Sequence, residues 1–226
     1  MQRLFLLLAA ALMLGGCNMV YAEKAIFTQA DAAGAPQLRP GLWVQHKPDC
    51  DFDEAKPIAQ WPECADPSLV TATTVGDMTD PTKQTPYVLA GGDPRVLQIE
   101  VTPDPDKPTI WIFAGLKPLK TDSQGRITEA RTWMVQCGPP PPKPPEDAAP
   151  PADEAAPASG EQTADSIQAD VDRQMAASVT REPLPGLTIK DGMCTATERD
   201  PVRNAAAASL AWDEDPPSVI HWVRDQ

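Results

Sequence analysis

Proline limits this chain more than any other residue. There are 27 prolines in 226 residues, about twice the usual share. Proline has no backbone N–H and a fixed φ, so it is kept out of helix interiors and central strands. Its distribution is uneven. Nine prolines fall in residues 138–164, a stretch without a single aromatic, Val, Ile, Leu or Met side chain. Such a segment cannot bury enough apolar surface to offset the entropy of ordering it. It is expected to be a disordered proline-rich insertion, with polyproline II over 139–145, acting as a spacer in a surface loop.

Elsewhere the punctuation is that of short strands. Apolar and β-branched runs at 42–45, 69–75, 87–90, 96–101, 109–116, 127–137, 187–190, 193–197 and 219–224 are separated by Gly, Pro, Asp and Ser. In the fourth run Leu97, Ile99 and Val101 alternate with Gln98 and Glu100, the pattern of a half-buried antiparallel strand. Gly91-Gly92-Asp93-Pro94 supplies a four-residue hairpin connection before it. Ile167, Val171, Met175 and Val179 recur every four residues and predict a helix over 165–180. A second short helix is expected over 201–210, with Asp200 as N-cap and Pro201 in its first position. The expected fold class is mainly β: an antiparallel sandwich or small barrel with one or two short helices. Its β-rich domain comprises residues 41–137 plus 181–226.

The N-terminus reads as an address. Arg3 precedes an apolar run over residues 4–14, too short to span a bilayer as a helix and suited to the core of a signal peptide. Leu14-Gly15-Gly16-Cys17 follows and resembles the lipobox of bacterial lipoproteins. The resemblance covers only the first 17 residues. It implies removal of residues 1–16, attachment of diacylglycerol to the Cys17 thiol, and acyl chains such as palmitate that hold the mature chain on a membrane. With Asn18 rather than Asp after the cysteine, it implies the outer membrane, with the domain facing the periplasm. Residues 17–40, Ala-rich with Gly34, Pro36 and Pro40, are expected to be the lipidated tether. The competing expectation is a soluble periplasmic or secreted protein, cut after Val20-Tyr21-Ala22.

Once Cys17 is set aside, Cys50, Cys64, Cys137 and Cys194 remain, an even number suited to an oxidising compartment. They allow three pairings. The favoured one is Cys50–Cys64, closing a short loop, with Cys137–Cys194 bridging the proline-rich insertion. There is no Cys-x-x-Cys, and His46 and His221 are the only histidines, so neither a zinc site nor any other metal or cofactor is expected. The acidic run Asp49-Cys50-Asp51-Phe52-Asp53-Glu54 fails as a calcium loop, because Glu54 and Gln60 stand where Gly and Glu are required.

The net charge is −13 and becomes −14 when Arg3 leaves with the signal peptide. That excludes nucleic acid as a partner and leaves the N-terminal lipid as the expected contact with the membrane. No nucleophile elbow, His-Glu-x-x-His, phosphate loop or dinucleotide fingerprint is present. The expectation is therefore a non-enzymatic envelope lipoprotein. It would present a disulfide-braced binding or structural domain to an envelope protein or cell-wall partner. Two other functions remain open: a small-ligand binder whose cleft is walled by Trp43, Trp111, Trp133 and Trp222, and a cell-wall hydrolase built on two carboxylates.

Overall fold

The structure, a computed structural model, describes residues 18–46, 49–78, 83–102, 107–140, 182–190, 192–212 and 217–225. Residues 1–17, over which the signal peptide and the lipidated Cys17 are expected, the insertion beyond Pro140 and the helix expected over 165–180 lie outside these residues. The elements are β1 (Val20–Ala22), a one-turn helix α1 (Gln29–Ala32), β2 (Gly41–His46), β3 (Ser68–Val70), β4 (Thr74–Asp77), β5 (Gln84–Ala90), β6 (Arg95–Val101), β7 (Ile110–Thr121), β8 (Ile127–Met134), β9 (Thr188–Lys190), β10 (Met193–Thr195), helix α2 (Arg199–Ser209) and β11 (Ser218–Arg224).

From β2 to β8 each strand pairs antiparallel with the next. β11 then pairs with β8 on one side and β2 on the other. The sheet thereby closes into an eight-stranded up-and-down antiparallel barrel, resolving the choice between sandwich and barrel. Closure removes the exposed edges an open sheet would have. β1 adds to β7 beyond the end of β8, and the β9–β10 hairpin continues from β1 as a flap beside the barrel.

Alternation along the strands creates two cores. Inside the barrel, Trp43, Val70, Tyr87, Leu89, Leu116, Ile127 and Ala130 pack with Leu38. The pairs Tyr87–Ile99 and Leu89–Leu97 stand opposite each other across β5 and β6. The intervening residues point outward, where Val96, Phe113, Val135, Val202, Ala205 and Ala206 join Val20 and Phe27 in a second core beneath α2. Small residues on the buried face of α2 let it lie close to the wall. Gly115 leaves room for the Trp133 ring, whose Nε1 donates to the Ala206 carbonyl at 2.8 Å.

Several boundaries differ from expectation. The run 69–75 is two strands, β3 and β4, joined by a turn in which the Thr71 hydroxyl accepts from Thr74 N–H. α2 starts at Arg199 after Glu198 as N-cap, so Pro201 sits in the first turn, where a missing N–H costs no helical bond. The largest correction concerns residues 18–40, which form no tether. Val20, Phe27 and Leu38 are buried, and the segment wraps the barrel. Gln98 on the outer face of β6 accepts from Ile26 N–H at 2.8 Å and Phe27 N–H at 2.9 Å, and donates to the Phe27 carbonyl at 3.0 Å. Leu38 then bridges to Ile127 at one end of the barrel.

Candidate ligand cavity

That end is the closed one. Leu38 and Ile127 form its floor. Beneath them the Arg39 guanidinium lies 3.5 Å from the centre of the Trp222 ring and bonds Asp225 at 3.0 Å. The Trp222 Nε1 donates to the Pro40 carbonyl at 3.1 Å. Gly41, with φ of 134°, passes so close to Trp222 and Arg224 that a Cβ there would clash.

The other end is open. A cavity of about 200 Å³ runs in from it, walled by Leu38, Trp43, Val70, Val75, Tyr87, Leu97, Ile99 and Ile220, with Gln45, Asp66 and Ser68 toward the mouth. Eight strands enclose an interior that side chains can just fill or that can hold one small molecule. Here the filling is incomplete.

The polar atoms of the wall have partners. Trp43 Nε1 donates to the Arg39 carbonyl at 2.8 Å. The Tyr87 hydroxyl donates to the Thr71 carbonyl at 2.9 Å, and burial pushes its pKa up to about 12, so it stays a neutral phenol. Asp66 is the one carboxylate among the lining residues. It sits in a left-handed conformation, φ 42°, on the exposed rim. The cavity is thus an apolar chamber with a polar mouth.

The two predicted bridges are present. Cys50–Cys64 and Cys137–Cys194 each have Cα atoms 5.8 Å apart. The first closes a loop on the outside of β2 and β11. There Glu54 meets His221 Nε2 at 2.6 Å, and the ring centres of Phe52 and Trp61 are 4.9 Å apart. The second is fully buried in the outer core and fastens β10 to the chain just after β8.

The four tryptophans do not share a cleft. Trp43 lines the cavity. Trp222, directly opposite Trp43 on β11, lies below the floor. Trp133 is sealed under α2. Trp111 faces outward into a groove with Phe27, Pro86 and Glu100. Strand parity decides this: Trp111 and Trp133 fall on the outward-facing positions of β7 and β8. The residues that do line the cavity with Trp43 are aliphatic. Their signal in the sequence was the Leu97–Ile99 alternation. Among the described residues, no group of three His, Cys, Asp or Glu side chains is placed to hold a metal ion, and no helix is long and apolar enough to cross a membrane. No family model, curated protein or solved structure matches the chain.

Proposed function

We propose that this chain is a bacterial envelope lipoprotein, anchored through Cys17 and facing the periplasm, whose barrel works by binding a small apolar molecule rather than by catalysis. The address rests on the lipobox-like Leu14-Gly15-Gly16-Cys17. The binding reading rests on one observation: the open, apolar cavity of about 200 Å³ behind a polar mouth. An apolar cavity of ~150 Å³ already takes benzene, so this one suits a single ring or a short alkyl chain, with the polar end of the ligand left at Gln45, Asp66 and Ser68. The wall offers no group poised for acid–base work. Tyr87 holds its proton, and the lining contains a single carboxylate, Asp66, where a paired-carboxylate mechanism needs two.

The test uses the Cys17→Ser protein titrated with octanoate and with indole, binding followed by calorimetry. Binding of one of them at micromolar to low millimolar concentration, abolished by the cavity-filling change Leu97→Trp in a protein that still unfolds cooperatively, is the expected result. Flat titrations with both probes, or binding indifferent to Leu97→Trp, would overturn it. The anchor is tested separately, by the acyl mass on the N-terminal peptide and by release of the Cys17→Ser protein from the membrane fraction.

A further inference from the structure

β1 and β10 run parallel with Val20 level with Cys194. Both side chains are buried in the outer core, so their neighbours Met19 and Met193 point to the opposite face. Met19 bridges to Gln136, and Met134, two residues before Gln136, falls on that same face. Three methionines thus fall on one face of the ribbon made by the end of β8, β1 and β10, the face that continues the inner wall of the barrel past its open end. Met134 is 39% and Met193 48% exposed, among the most exposed large apolar side chains of the described residues. Lys190 stands directly opposite Met193 and shares its face, with its side chain 68% exposed and Glu23 4.0 Å away.

This face adjoins the start of the described chain, and there is no slack between them. Asn18 is 8% exposed. Its Nδ2 donates to Gln136 Oε1 at 3.1 Å and to the Gly138 carbonyl at 3.2 Å, and its own carbonyl accepts from Cys137 N–H at 2.7 Å. Residue 17 is bonded directly to Asn18, so whatever it carries is tied to the chain at this face.

We propose that the Met19–Met134–Met193 face rests on the bilayer leaflet that receives the acyl chains of Cys17. The inference depends on the lipoprotein reading and adds an orientation to it. Lipid on a residue joined to a pinned Asn18 cannot enter the bilayer without bringing this face of the ribbon to the headgroups. Methionine is flexible and adapts to an irregular apolar boundary, and Lys190 can keep its ammonium at headgroup level while its stem follows the methionines down. The barrel is then held against the membrane by one side, not swung from a leash.

Methionine oxidation reads this out. The full-length lipidated protein is reconstituted in phosphatidylethanolamine–phosphatidylglycerol vesicles and treated with chloramine-T, alongside the soluble Cys17→Ser protein. A methionyl peptide in the same solution calibrates the oxidant. Sulfoxide formation at Met134 and Met193 is expected to slow at least fivefold on vesicles. Equal rates in protein shown to carry acyl chains on Cys17 would overturn the docking face and leave the anchor standing. An unacylated Cys17 in membrane-purified protein would overturn the lipoprotein reading and this inference with it.

Discussion

Trp43 and Trp222 stand directly opposite each other on β2 and β11, yet only one of them borders the cavity. Trp43 is 2% exposed and forms its wall. Trp222 is half-buried beneath the floor, under the Arg39 guanidinium. Trp43→Ala is expected to cost about 3–5 kcal/mol, the range for a fully buried aromatic. Trp222→Ala should cost clearly less, because part of its ring is already in water. Urea denaturation of the two variants measures the difference, and equal losses would contradict this assignment.

Gln98 is the fastening of the N-terminal segment to the barrel. Gln98→Ala leaves two N–H groups and one carbonyl of Ile26 and Phe27 without their partner. Each buried unsatisfied group costs about 1–3 kcal/mol, and partial hydration of the Ile26 amide keeps the expected loss to roughly 2–5 kcal/mol. Gln98→Glu retains the acceptor but not the donor and should fall between. Hydrogen exchange at Phe27 should accelerate in the order wild type, Glu, Ala.

The two disulfides should differ in reactivity because they differ in burial. Cys137 and Cys194 are fully buried, whereas Cys64 is exposed. In native protein, mild thiol treatment with alkylation and peptide mapping should label Cys50 and Cys64 first. Removing the buried bridge should destabilise more, about 4 kcal/mol against about 3 kcal/mol on loop entropy alone.

Gly115→Ala places a methyl group where the Trp133 ring lies. Overpacking of this kind costs about 1–3 kcal/mol. The Trp133–Ala206 hydrogen bond should weaken with it, visible as a shift of the indole N–H resonance.

Asp31 makes part of the attachment dependent on pH. Partial burial alone would raise its pKa. Hydrogen bonds from the Thr28 N–H and hydroxyl, with the Arg199 and Arg203 guanidiniums, outweigh that and hold it below the ordinary 3.8. A lowered folded-state pKa means that the carboxylate's contribution is complete above 3.8 and is lost as pH falls through the folded-state value. Asp31→Asn should therefore lower the urea midpoint at pH 7, and the gap to wild type should narrow as pH falls below 4.

Much of the barrel was legible in the sequence, because alternation in 96–101 and the turn residues at 91–94 are local signals. The cysteine pairing was legible for a similar reason: loop length favours it. What hid residues 18–40 is that their attachment is made by three widely spaced apolar residues and by Gln98, whose polar side chain reads as solvent-facing. A single cleft for the four tryptophans does not form because composition shows an aromatic and not its face. Parity becomes readable only once register is known, and β7 and β8 slip in register near Pro118 and Lys120. The cavity itself was not legible at all, since it depends on where the wall is incompletely filled.

The ring of strands also dictates when this domain can exist. β11 is the one piece that joins β8 to β2, and the chain between β8 and β11 includes the whole proline-rich stretch. Until Ser218–Arg224 has paired, Gly41–His46 and Ile127–Met134 present bare edges that invite other strands. Closure is a contact of large sequence separation, the slow kind. A chaperone that shelters the nascent sheet until that strand arrives would act on this protein at its most aggregation-prone moment.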